Sequence, residues 1–124
     1  MKFNKLLEEY RKTKSDLVIN TTYLAELTKT NEDCHNVLSN LDCQPFESKV
    51  SQQRQVCINL ANKISAINCE LLEMIKMIDD NTIRNILTLR TLTDYTWKKI
   101  GQSCGYCESR VRQLYKIGSD ILNS

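Results

Sequence analysis

Apolar residues in the first forty positions return every seven. Phe3, Tyr10, Leu17, Leu24 and Leu38 fall on one series, interrupted at Asn31; Leu6, Leu27, Cys34 and Leu41 fall on its companion, with Thr13 and Asn20 in the gaps. A narrow apolar seam with polar flanks predicts a long helix that pairs in a coiled-coil manner. The Thr and Asn interruptions predict a weaker seam than a designed zipper, with a break near Thr28–Asn31. Asn40–Ser48 carries the single proline, Pro45, and is expected to be a connector, with Ser48 capping the next helix. A second heptad helix is then expected from about Lys49 to Ile78. Val50, Cys57, Ile64, Leu71 and Ile78 form one of its series; Leu60, Ile67 and Met74 form most of the other. These two helices can fold back as an antiparallel hairpin or pair with a second chain, and the seams suit either.

The pattern changes after Ile78. Asp79-Asp80-Asn81 offers a cap, and Thr82–Leu92 is expected to be a helix through Ile83, Ile86, Leu87 and Leu89. Thr93-Asp94-Tyr95 is expected to turn, with Thr96 as N-cap of the next helix. From 93 to 118 the spacing is that of a helix-turn-helix. Gly101 lets two helices cross closely, Gly105 supplies the positive φ that ends the first, and Val111 and Leu114 turn inward to meet Trp97, Ile100 and Cys104. Ile117, Ile121 and Leu122 extend the last helix. The expected fold is all-α: long N-terminal heptad-patterned helices (residues 1–78), as hairpin or coiled coil, followed by a C-terminal helix-turn-helix domain (79–124).

The outer face of the second helix of that motif carries Ser109, Arg112, Gln113 and Lys116, types that reach base edges and phosphates. Thr96, Lys98, Lys99 and Arg110 are candidate phosphate contacts. Charge sharpens this modestly. The chain has 17 Lys and Arg against 15 Asp and Glu, a net +2. Residues 1–78 hold ten basic and ten acidic groups, and 79–124 hold seven and five. The stretch from Cys107 to Gly118 holds three basic groups and one acidic, a local positive face that permits nucleic-acid binding without demanding it.

Asp79–Leu122 resembles the C-terminal domain of phage and mobile-element proteins of Gram-positive bacteria, a group related to late-gene transcriptional activators with a sigma-factor region 4-like helix-turn-helix. The resemblance is carried by Asp80 with Arg84, Ile86-Leu87-x-Leu89-Arg90, Thr96-Trp97, Ile100-Gly101, Gly105-Tyr106 and Val111-x-x-Leu114. It covers about residues 50–122. The chain departs from the group at Cys107, where a capping Ser or Thr is usual, and at Lys99, where Glu would complete a capping box. It departs again at Ser119, where Leu is usual and where Ile117 and Ile121 are expected to compensate. The resemblance implies a sequence-specific, DNA-binding transcriptional regulator with double-stranded DNA as partner, and the heptad helices are expected to position the helix-turn-helix or to dimerise it. The alternative is a phage-encoded inhibitor or adaptor that binds a host protein: RNA polymerase, a sigma factor, or a defence nuclease such as a CRISPR effector.

Other chemistry finds little footing. Cys104-Gly-Tyr-Cys107 is half a zinc site, and its residues are accounted for by the turn. Cys34-His35 with Cys43 is weaker; Cys34 and Cys57 are seam positions, and Cys69 lies outside the seam as an exposed thiol. Asp79-Asp80 and Glu8-Glu9 read as cap and surface charges. With one His and no glycine-rich phosphate loop, neither an enzyme nor a cofactor or metal is expected. The charged start and the absence of a long apolar run predict a cytoplasmic protein without membrane contact, its cysteines reduced.

Overall fold

The computed structural model of the chain describes residues 2–37 and 40–124, excepting the side chains at 35, 37 and 40–45. The described residues form five helices and no strand: α1 (Lys2–Val37), α2 (Asn40–Lys76), α3 (Asn81–Leu92), α4 (Trp97–Cys104) and α5 (Glu108–Asn123).

Two expectations about the long helices are corrected. α1 has no break at Thr28–Asn31, because the hydroxyls of Thr28 and Thr30 bond back to Leu24 O (2.8 Å) and Glu26 O (3.0 Å) and so fit the helix. The connector expected over Asn40–Ser48 is largely helical: α2 begins at Asn40, so Ser48 lies inside it and caps nothing. Pro45 is the sixth residue of α2, past the first turn in which a proline costs no helical bond. Position 38 and the side chains of Leu41 and Cys43 lie outside the described residues.

The chain divides into two compact units, Arg11–Ser65 and Met1–Tyr10 with Ala66–Ser124. The boundary expected between 78 and 79 falls inside the second of these, because the ends of both long helices group with α3–α5. In the Arg11–Ser65 unit, α1 and α2 run in opposite directions. Gln53 Nε2 donates to Asn20 O at 3.0 Å and to Asn20 Oδ1 at 2.9 Å. Thr13, Leu27, Val50 and Cys57 are buried; Leu17, Asn20, Leu24, Asn31, Gln53, Leu60 and Ile64 are half-buried. The polar interruptions therefore sit in the seam itself. Asn31 Oδ1 is enclosed without a hydrogen-bond partner, a costly arrangement in an apolar seam.

The other unit has the larger core. Phe3, Leu71, Ile75, Ile86, Leu87, Ile100 and Val111 are its most enclosed side chains. Leu7 and Ile75 are buried, whereas Leu6 and Met74, the expected seam residues, are half-buried. The stripe widens here because the helix ends meet more than one neighbour: Asn4 N–H on α1 donates to Asn123 Oδ1 on α5 at 3.0 Å.

Capping fixes the entry to α3. Asp80 Oδ1 accepts from Ile83 N–H at 3.0 Å, and Arg84 Nη1 donates to Ile78 O (2.5 Å) and Asp79 O (3.0 Å), bracing the bend between α2 and α3. α5 then lies close over α3. A Cβ at Gly118 would come within 2.6 Å of Ile83 Cγ2 and 2.8 Å of Leu87 Cδ1. The expectation that Ile117 and Ile121 compensate for the Leu absent at Ser119 is corrected: they are 46 % and 52 % exposed, while Gly118, Ser119 and Leu122 turn inward. Val111, Leu114, Gly118 and Leu122 follow the helical repeat on one face, and Ile117 and Ile121 fall off it.

Between α4 and α5 the chain reverses at Gly105, whose φ of 77° lies in the left-handed region. Gly101 O accepts from Gly105 N–H (2.9 Å) and Tyr106 N–H (3.0 Å). A Cβ at Gly101 would stand 2.6 Å from Tyr106 O, a backbone atom that the turn holds in place; one at Gly105 would meet nothing within 4 Å. Gly101→Ala is therefore expected to cost about 2 kcal/mol or more through overpacking. Gly105→Ala should cost only the left-handed penalty of about 1–2 kcal/mol. Chemical denaturation of both variants checks this, and a neutral Gly101→Ala contradicts the packing described.

Candidate nucleic-acid interface

α5 has two opposed faces. Val111, Leu114 and Gly118 are buried, while Ser109, Arg112, Gln113 and Lys116 are exposed at the i, i+3, i+4, i+7 spacing that places them on one stripe. Arg110 is exposed beside this stripe, its Nη1 donating to Gln113 Oε1 at 3.3 Å. Thr96, Lys98 and Lys99 are exposed at the start of α4. All eight candidate residues thus lie on the surface of one compact unit, on the first turn of α4 and the outer side of α5.

Local chemistry fixes each group. Thr96 Oγ1 caps α4 by accepting from Lys99 N–H at 3.2 Å. The side chain of Lys99, where a capping box would need Glu, extends instead over the Tyr95 ring, its Nζ 4.3 Å from the centroid. Trp97 organises the remainder. Arg90, on α3, places its guanidinium carbon 4.1 Å from the Trp97 centroid, and Arg112, on α5, places its own at 5.6 Å. The Tyr115 ring meets Trp97 edge-on, 5.2 Å between centroids with planes at 78°. Arg90 Nη1 also donates to Tyr95 O at 3.3 Å. Sequence reasoning missed this cluster. Arg90 belongs to another helix, and no linear spacing relates it to Trp97 or Arg112; the one available signal was that Arg112 and Tyr115 lie three apart on α5.

The start of α5 differs. Cys107 occupies the N-cap with extended backbone (φ −72°, ψ 159°) and its side chain makes no capping bond; Glu108 in the first turn complements the helix dipole. Cys107 Sγ lies 3.3 Å from Ser109 Oγ. This side-chain contact, followed by the Arg110 backbone N–H, holds the thiol below its ordinary range. Cys69 is also exposed, Cys34 and Cys104 are half-buried, and Cys57 is buried. Among the described residues no group of three or more His, Cys, Asp or Glu is placed to hold a metal ion, and no helix is long and apolar enough to cross a membrane. A groove of about 630 Å³ lies elsewhere in the same unit, between Lys2, Lys5, Leu6 and Glu9 of α1 and Glu70, Glu73, Met74 and Met77 of α2.

No family model, curated protein or solved structure matches the chain.

Two outcomes are expected at Cys107. Cys107→Ser replaces a weak thiol acceptor by a capping hydroxyl at the start of α5 and should raise Tm by about 3–6 °C; an unchanged or lower Tm contradicts a weak cap. In the wild-type chain, alkylation of Cys107 should rise with pH through a midpoint below that of an ordinary thiol, since the thiolate is the nucleophile. Mass spectrometry of alkylated peptides reads this directly, with a short unstructured cysteine peptide as reference. A midpoint equal to that of the peptide contradicts the Ser109 contact.

Proposed function

We propose that the chain is a sequence-specific, DNA-binding transcriptional regulator in which α4, the Gly105 turn and α5 form a helix-turn-helix and α5 enters the major groove. One observation carries this reading: Ser109, Arg112, Gln113 and Lys116 form an exposed stripe opposite the buried Val111, Leu114 and Gly118, behind a tight glycine turn. In such a docking Arg112 and Gln113 address base edges, Arg pairing with guanine and Gln with adenine, while Ser109 and Lys116 flank them. Thr96, Lys98, Lys99 and Arg110 hold phosphates on either side. The resemblance of Asp79–Leu122 to phage and mobile-element regulators supports the same function, in the cytoplasm. α1 and α2 act as a helical hairpin that carries the reading unit and brings two copies together.

A second reading has its own observation. The groove between Lys2, Lys5, Leu6 and Glu9 and Glu70, Glu73, Met74 and Met77 has an apolar floor, and Met77 is 76 % exposed. Flexible methionines between charged rims suit the capture of an amphipathic helix from a host protein. In that case the α3–α5 unit serves as scaffold.

The two readings separate by experiment. Duplexes selected from a randomised pool with the full-length chain should show a common motif. Affinity for the selected duplex should fall with salt, with a log–log slope of roughly −3 if Lys98, Lys99 and Arg110 each neutralise a phosphate. Arg112→Ala should cost about 1–3 kcal/mol on the selected duplex and relax preference at one base pair. A pool that returns no enriched motif, or an Arg112→Ala affinity equal to wild type, contradicts the assignment of α5.

A further inference from the structure

Arg112 is long and exposed, and a side chain of that kind ordinarily samples many rotamers when no partner holds it. Here its guanidinium carbon lies 5.6 Å from the Trp97 centroid, with Tyr115 one helical turn further along α5 set edge-on to the same ring. Trp97 is itself fixed. It is the first residue of α4 after the Thr96 cap, and Arg90 of α3 covers it at 4.1 Å while bonding to Tyr95 O. Three helices therefore converge on one indole ring, and one of the side chains held there is the arginine best placed on α5 to address a base.

We propose that Trp97 is a positioning residue that sets the direction of Arg112 before DNA arrives, and that base discrimination by α5 depends on it. The inference rests on the reading of α5 as the DNA-facing helix. At 5.6 Å the guanidinium lies within cation–π range of the ring without stacking on it, so its N–H groups remain available for a bidentate base contact. Ordering the side chain in advance removes a cost that association would otherwise carry. Arg90 adds a fixed cation beside the same ring, and Lys99 adds another over Tyr95, so the reading arginine sits within a field that favours an approaching phosphate backbone. The ring also tempers the repulsion between Arg90 and Arg112, since both cations are drawn to it.

The test has one arm without DNA and one with it. In the free full-length protein, the Arg112 side-chain protons should show an upfield ring-current shift in the NMR spectrum, and Trp97→Leu should abolish it. No shift in the wild-type chain overturns the clamp whatever the protein binds, and this arm requires no variant to fold. With DNA, the readout is the affinity ratio between the selected duplex and a scrambled one. Trp97→Leu should lower that ratio about fivefold, the scale of an exposed cation–π contact, with little change on the scrambled duplex. Trp97→Phe should retain most of the ratio, and Trp97→Leu should have no further effect in an Arg112→Ala background. If Arg112→Ala lowers the ratio and a folded Trp97→Leu does not, Trp97 has no positioning role. If neither changes it, the assignment of α5 falls, and the clamp's role in discrimination falls with it.

Discussion

The carbonyl of Gly101 is the point on which the C-terminal unit depends. It accepts two backbone N–H groups, from Gly105 and Tyr106, and so ends α4 and begins the path to α5 within a few residues. Both glycines are needed for different reasons. Gly105 takes the left-handed backbone, and Gly101 leaves room for the Tyr106 carbonyl that a Cβ would meet at 2.6 Å. With that turn closed, Val111 reaches a fully buried position and α5 is held at a fixed rotation. Gly118 repeats the device further along, bringing α5 down onto Ile83 and Leu87 of α3. The rotation decides which side chains point outward. Ser109, Arg112, Gln113 and Lys116 do so together because Val111, Leu114 and Gly118 cannot.

Above this packed base the surface is ordered by cations against aromatic rings. Lys99 lies over Tyr95, and Arg90 and Arg112 share Trp97. Such contacts are individually modest, but they restrict side chains that would otherwise sample many conformations. The weak element is the start of α5. Cys107 occupies the capping position of α5 without a side-chain capping hydrogen bond, at the edge of the exposed stripe.

Much of this was legible in the chain. Phe3, Tyr10, Leu27, Val50, Cys57, Ile67, Leu71 and Ile78 of the heptad series are buried, while Leu6, Leu17, Leu24, Leu60, Ile64 and Met74 of the same series are half-buried. Caps at Asp80 and Thr96 and the left-handed Gly105 were legible because each depends on local backbone chemistry. The features that escaped required a third dimension. Leu7 and Ile75 are core because the helix ends meet further neighbours, which a two-helix seam does not express. Pro45 and the Thr28–Asn31 stretch read as interruptions, yet both lie inside helices, with the Thr28 and Thr30 hydroxyls bonded back to the α1 backbone. Ile117 and Ile121, expected to compensate at Ser119, lie outside the core by rotation. The eight proposed DNA contacts were chosen by residue type and spacing, and all are exposed; Arg90 was invisible because it meets Trp97 only through the packing of α3 on α4.

If DNA is the partner, it meets the first turn of α4 and the outer side of α5. An NMR titration of the isotope-labelled full-length chain with a selected duplex maps that surface residue by residue. Amide shifts should concentrate at residues 96–99 and 108–116, with the Arg11–Ser65 unit unmoved at equimolar duplex. Shifts confined to that unit, or spread along α1 and α2 while residues 108–116 stay in place, would contradict a DNA-facing α5.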